Sequence, residues 1–271
     1  MKKEVSSAKR ARSACANGTD NYQLSIINYQ SVYGLIGFPL GHSFSAKFFA
    51  EKFEREGISA EYRNFAIPSI DELPAVLATP NLRGFNVTIP YKQAILPRLA
   101  AVSPQAEEIG AVNVVRVEKD GRLTGHNTDI IGFVRSIRPL LQPWHRGALV
   151  LGTGGASKAV VVGLKALGLE PQLVSRTPRE GIIAYADITA DVLSRFPVVV
   201  NCSPVGMFPN VDAAPAIPYD LLTSQNLLYD LVYNPEETLF LRRGREQGAA
   251  TKNGLEMLHL QALAAWEIWQ K

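Results

Sequence analysis

The chain has 271 residues, 46% of them apolar and 20% charged, enough for one or two domains with a sizeable core. Its formal charge of +3 suits a protein that handles anionic small molecules and is too weak to argue for nucleic acid. No apolar run approaches the length of a membrane span, Cys15 and Cys202 are far apart without zinc spacing, and His42, His126, His145 and His259 form no ligand pattern. Neither a disulfide framework, a metal nor a membrane anchor is therefore expected, and a reducing, cytoplasmic setting is.

Residues 1–30 carry Lys2, Lys3, Lys9, Arg10 and Arg12 among Ser, Ala and Asn, with no apolar h-region. They read as a disordered extension or the product of an upstream start codon, with an organellar transit peptide as the alternative. A compact β run over 31–37 follows, and Gly41-His42-Ser43-Phe44-Ser45 opens an amphipathic helix with Phe48, Phe49 and Phe53 on one face and Lys47, Glu51 and Glu54 on the other. A strand over 61–67, a helix over 71–78 capped by Pro68-Ser69, a strand over 85–89 and a helix from Tyr91 complete β-α-β-α-β-α, which implies a largely parallel sheet. A short helix is expected over 104–109, then a hairpin of 111–117 with 123–127, then a helix over 130–140 that Thr128 or Asp129 can cap.

Residues 140–147 read as a linker into a second α/β unit. Its expected strands are 148–152, 172–175, 182–186 and 197–201, with 227–232 as the last. Helices are expected over 158–167, 187–195 and 235–247, and a long C-terminal one after Gly254 to 270.

Three stretches carry chemistry. In Gly84-Phe85-Asn86-Val87-Thr88-Ile89-Pro90-Tyr91-Lys92 a short buried strand is stopped by Pro90, which can open a helix because its missing N–H would be unpaired there. Thr88 and Lys92 are thus delivered to the carboxyl end of a strand, where open α/β sheets place their sites. A lysine there is either a solvated first-turn residue or a working group.

The second stretch, Gly152-Thr153-Gly154-Gly155-Ala156-Ser157, lies between a strand and a helix and loosely matches G-x-G-x-x-G, with Ser157 at the third glycine. Such a turn sets backbone N–H groups and a positive helix end against a pyrophosphate; the alternative is a tight βα turn. The third, Ser175-Arg176-Thr177-Pro178-Arg179, ends the next strand without the acid that holds an NAD ribose. Its arginines suit the 2′-phosphate of NADP.

Gly41–Ser45, 86–92, Gly110-Ala111-Val112-Asn113, Gly125-His126-Asn127-Thr128-Asp129, 152–157, Tyr233-Asn234-Pro235 and 254–261 together resemble the motif series of shikimate dehydrogenases, in that family's order and across 31–271. The resemblance implies NADPH-dependent, reversible reduction of 3-dehydroshikimate to shikimate. It implies an α/β fold of two domains: a mostly parallel substrate domain of residues 31–130 that regains residues 252–271 as a returning C-terminal helix, and an inserted Rossmann domain of residues 131–251. Lys92 and Asp129 would be the catalytic pair. Ser43, Ser45, Thr88, Asn113, Asn127, Tyr233 and Gln261 would bind substrate. NADP(H) would be held by Gly152, Thr153, Gly154, Gly155, Ala156, Ser157, Ser175, Arg176, Thr177 and Arg179, with Leu231 and Gly254 beside the nicotinamide.

The chemistry agrees with the pair: a ketone that accepts hydride needs a proton and a cation close by, and Lys92 can supply both while Asp129 holds the ammonium in place. Two departures stand out. Ser175 replaces the Asn that the family often has there, and the segment after Arg179 is short enough to trim a helix to a turn. Small-molecule partners and a monomer or homodimer are expected. The competing readings are a quinate/shikimate enzyme using NAD and a non-catalytic ligand sensor on the same fold.

Overall fold

In the computed structural model of the protein, residues 31–41 and 44–271 are described. The N-terminal extension and Ser43, one of the expected substrate ligands, lie outside them.

Two six-stranded sheets organise the chain. The first is built from β1 (Ser31–Gly37), β2 (Ala60–Ala66), β3 (Leu82–Val87), β4 (Ala101–Val102), β5 (Val114–Val117) and β6 (Leu123–His126), in the order β2-β1-β3-β5-β6-β4. β1 pairs in parallel with β2 and β3, and β4 with β6, while β5 runs antiparallel between β3 and β6. The helices of this half are α1 (Phe44–Arg55), α2 (Leu73–Leu77), α3 (Tyr91–Ala94) and α4 (Pro104–Ile109). β3 stops two residues earlier than the pattern predicts. Val87 and Thr88 give their N–H groups to Asn113 and Ile36 (2.8 and 3.0 Å), and Pro90 has none to give. α2 is also shorter than expected, because a 3-10 turn over Ile70–Glu72, closed by a Ser69/Glu72 capping box, takes its first residues.

α5 (Asp129–Ile137) leads to the second sheet, made of β7 (Gly147–Leu151), β8 (Glu170–Ser175), β9 (Ile182–Ala184), β10 (Val198–Asn201), β11 (Leu227–Asp230) and β12 (Ala250–Lys252). All its pairs are parallel and its order is β12-β11-β10-β7-β8-β9, the doubly wound arrangement whose topological switch lies between β7 and β10. Strand β12 corrects the expectation that 227–232 was the last. α6 (Gly155–Ala166), α7 (Ala190–Arg195) and α8 (Leu239–Glu246) flank this sheet, and α9 (Leu255–Trp269) returns to the first.

Each sheet has an apolar layer on both faces. Phe85, Ile36 and Val115 sit in one layer of the first sheet, and Phe49, Phe53, Ala265 and Trp269 in the other. Gly84 has no side chain because the Trp269 indole occupies that space, and the indole N–H donates to the Val115 carbonyl at 3.0 Å. That contact docks the last turn of the chain onto the first sheet. α5 belongs to both halves: Ile130 packs with Ile109 and Ala111, and Phe133 and Ile137 pack with Val150, Val160 and Val200.

Candidate active site

Lys92 is the second residue of α3, and its carbonyl accepts the Val112 N–H at 2.8 Å, which pins the helix to the segment bearing Asn113. Asp129 is the first residue of α5. Neither it nor Thr128 caps that helix with its side chain, contrary to expectation. The cap is Asn127, whose Oδ1 accepts from the Asp129 and Ile130 N–H groups (3.1 and 3.4 Å) while its Nδ2 donates to Ala111 at 2.9 Å. The Asp129 carboxylate is therefore free for other partners. Its Oδ2 accepts from Lys92 Nζ at 2.7 Å and its Oδ1 from Asn113 Nδ2 at 2.8 Å. Asn113 is itself held by the Thr128 N–H, which donates to its Oδ1 at 2.7 Å. The two charged side chains keep 24% and 14% of their surface, so the pair faces water on one side only.

Gln261 lies 8% exposed on α9 and closes this group from behind, with Thr128 Oγ1 donating to its Oε1 at 3.5 Å and its own Nε2 donating to Leu258 at 3.0 Å. Thr88 sits at the end of β3 with its methyl in the space a Gly37 side chain would need. Tyr233 is 41% exposed, on the segment after β11. The sequence reading missed two residues, Asn86 and Tyr62. Asn86 is buried mid-strand, and its Oδ1 accepts from the Tyr62 hydroxyl at 2.7 Å while its Nδ2 donates to Asn113 at 3.4 Å. Ser45 bonds the same Tyr62 hydroxyl, and burial pushes that phenol up. A polar Asn inside an apolar strand was the available signal, because buried amides need partners.

The glycine turn stands at the same end of the molecule. α5 and α6 run parallel: Ile130 packs on Ala159, and one turn further on Phe133 fills the space above Gly163. Asp129 and Gly155, the first residues of the two helices, therefore lie at the same end of this helix pair. Gly152 has φ +105°, which an L side chain rarely adopts, and it lies against the backbone of Cys202 at the switch between β7 and β10. Gly154 and Gly155 have open space where a Cβ would stand.

The helix begins at Gly155, not Lys158, so N–H groups of the turn itself form its positive end. The Ser157 hydroxyl donates to Gly154 at 2.6 Å and braces the turn, while Thr153 is exposed and Ala156 half-buried. These features fit an incoming pyrophosphate.

Beyond β8, the Ser175 hydroxyl accepts the Thr177 N–H at 3.2 Å, and Arg176 and Arg179 are exposed. Residues 176–181 form a turn with an Arg179–Ile182 bridge and no helix, as the short spacing predicted. Gly254 donates its N–H to Val232 at 3.2 Å, and a Cβ on it would overlap the Leu231 carbonyl.

A parallel sheet of this order, its glycine turn and an amine–carboxylate pair at the same end of the neighbouring helix define a dinucleotide-binding oxidoreductase of two α/β halves. A family model of the shikimate dehydrogenase substrate binding domain matches residues 35–115. The NADP(+)-dependent shikimate dehydrogenase of Desulforamulus reducens is 36% identical over 260 residues, covering 88% of this chain and 89% of that one. The structure of the Thermus thermophilus shikimate 5-dehydrogenase with NADP(H) and shikimate superposes with a TM-score of 0.77 at 34% identity, covering 88% of this chain and 93% of that one. Quinate dehydrogenase from Corynebacterium glutamicum with NAD gives 0.79 at 29% identity, covering 88% and 93%. The chain belongs to the shikimate dehydrogenase family. Among the described residues no helix is long and apolar enough to cross a membrane.

Proposed function

We propose that the protein catalyses the NADPH-dependent, reversible reduction of 3-dehydroshikimate to shikimate, with Lys92 and Asp129 as its acid–base pair. The observation that carries this reading is the 2.7 Å contact between the Lys92 amine and the Asp129 carboxylate, at the start of the helix that runs beside the one opened by the glycine turn.

NADPH, when bound, supplies the hydride. Residues 152–157 would hold its pyrophosphate, Arg176 and Arg179 its 2′-phosphate, with Ser175 and Thr177 shaping that loop, and Leu231 and Gly254 would flank its nicotinamide. Lys92 stands ready to give the ketone oxygen a proton as charge builds there, and its ammonium offsets that charge before transfer. Asp129 and Asn113 fix the amine, since one carboxylate oxygen holds Lys92 and the other is held by the amide. In the reverse direction Lys92 takes the proton back. Ser43, Ser45, Thr88, Asn113, Tyr233 and Gln261 supply the hydroxyl and amide groups that a polyhydroxylated acid needs. Asn127 caps α5 through its Oδ1 and gives one Nδ2 hydrogen to Ala111, which leaves the other to join them at the substrate.

The retained pair argues against a non-catalytic sensor, which needs no proton transfer. A small-molecule enzyme of the cytoplasm, monomeric or a homodimer, completes the reading. Absorbance at 340 nm with shikimate or quinate, each against NADP and NAD, tests it. Turnover of shikimate with NADP in preference to the other three pairings is expected. Quinate with NAD as the best pairing would replace this reading with the quinate one.

A further inference from the structure

At the carboxyl ends of β10 and β11 a polar network is sealed from water. Asn201, Asp230 and Thr238 are each 0% exposed. The Asp230 Oδ1 accepts from Asn201 Nδ2 and from the Val232 N–H, both at 3.0 Å, and its Oδ2 accepts from the Thr238 hydroxyl at 2.6 Å. Asn201 in turn accepts from the Ser203 N–H at 3.0 Å and the Ser203 hydroxyl at 2.6 Å. Thr238 caps α8 through the Leu241 N–H.

One end of this network adjoins the glycine turn and the other the start of α9. Residue 202 follows Asn201 and lies against Gly152 of the glycine turn, and Val232 accepts the Gly254 N–H at the start of α9. The groups that feel the Asp230 charge are the Cys202 thiol and the Tyr219 phenol, both held neutral by burial, with Arg243 stacked on Tyr219. Among the described residues no cation pairs with Asp230. An ionised carboxylate kept in the interior without a cation is costly, and a structural post at this place could have been apolar.

We propose that Asp230 is a positioning residue for the nicotinamide end of the cofactor: it ties residues 203–205 and 231–233 together so that both walls of that subsite keep one spacing from the glycine turn. The proposal rests on the NADP-dependent reading above. Asp230 touches no ligand and acts through the Val232 N–H, Asn201 and Thr238.

The test is steady-state kinetics on the full chain with each substrate varied in turn. Asp230→Ala is expected to raise the KM for NADPH at least about tenfold, while the KM for 3-dehydroshikimate moves less than about twofold. Asp230→Asn can keep both Oδ1 bonds and reverse the third, so it should restore the NADPH KM to within about threefold of the parent. Thr238→Val, which removes one donor and no charge, should shift the NADPH KM in the same direction as Asp230→Ala, and Thr238→Ser should not. If Asp230→Ala does not fold, the Thr238 pair decides alone. Loss of kcat with both KM values unchanged, or equal rises in both, overturns the proposal. A parent enzyme without shikimate turnover would overturn the functional reading instead.

Discussion

Removing the Lys92 amine separates its structural role from its chemical one. In Lys92→Ala, Asp129 keeps the Asn113 Nδ2 bond at 2.8 Å and stays at the first position of α5, where the positive helix end favours a carboxylate. The lost bond is charge-assisted, but the carboxylate is 14% exposed and water can replace the amine. The stability cost should be about 1–2 kcal/mol, a fall of several degrees in melting temperature. The chemical loss is larger: a positioned acid–base group contributes about 10²–10⁴-fold, or about 2.7–5.4 kcal/mol of barrier.

The assay is stopped-flow or steady-state NADPH oxidation by the folded variant at saturating 3-dehydroshikimate, with binding measured separately. Turnover should drop at least about a hundred-fold and substrate affinity stay within a few fold. Asp129→Asn should also slow turnover. Because the two side chains act as one unit, the double variant should be about as slow as the slower single one. Unchanged turnover in Lys92→Ala removes the catalytic assignment, and a double variant whose loss is the product of the two single losses would show that they work independently.

Three further outcomes are expected. Arg176→Ala should weaken NADPH far more than NADH in a binding titration, and an equal loss for both would mean that it does not meet the 2′-phosphate. Gly254→Ala places a methyl on the Leu231 carbonyl, which cannot move aside like a side-chain tip, so stability should fall by about 1–3 kcal/mol in urea unfolding; an unchanged midpoint would show that α9 can shift freely. Burial pushes the Asp230 carboxyl up to about 6, above the ordinary 3.8, so the folded state binds its proton more readily than the unfolded chain does. That group costs nothing below about pH 4, costs more as pH rises to 6, and costs about 3 kcal/mol above it. The stability difference between Asp230→Asn and the parent should therefore grow in the variant's favour from pH 4.5 to 7; a difference that stays flat refutes the shift.

The sequence was most informative where one residue type has one use. Gly152 between a buried strand and a helix, and Pro90 after the apolar run of β3, announced the glycine turn and the placement of Lys92 before any coordinates. It was least informative where several residues could do one job. Asn127, Thr128 and Asp129 are all able to cap α5, and only the bonds that Asn127 Oδ1 accepts from the Asp129 and Ile130 N–H groups, 3.1 and 3.4 Å, select among them. β4 and β12, of two and three residues, are too short to show alternation. The helix start at Gly155 was hidden because glycine has poor helix propensity. Asn86 finds its partners Tyr62 and Asn113 at separations of 24 and 27 residues, which no local pattern carries.

The choice of cap has a functional consequence. A carboxylate that satisfied the N–H groups of its own helix would have fewer lone pairs to offer a lysine, and its orientation would be set by the helix alone. By giving that task to Asn127, the fold leaves both Asp129 oxygens facing outward, one for Asn113 and one for Lys92. Asn113 is fixed in turn by Thr128, so the geometry of the amine depends on a chain of neutral amides that do not titrate between pH 5 and 8. On the proposed reading, the proton-carrying pair would thereby be positioned by groups whose own charge does not change during the reaction. This is the arrangement expected where orientation must survive each transfer, and not where a salt bridge serves only to join two helices.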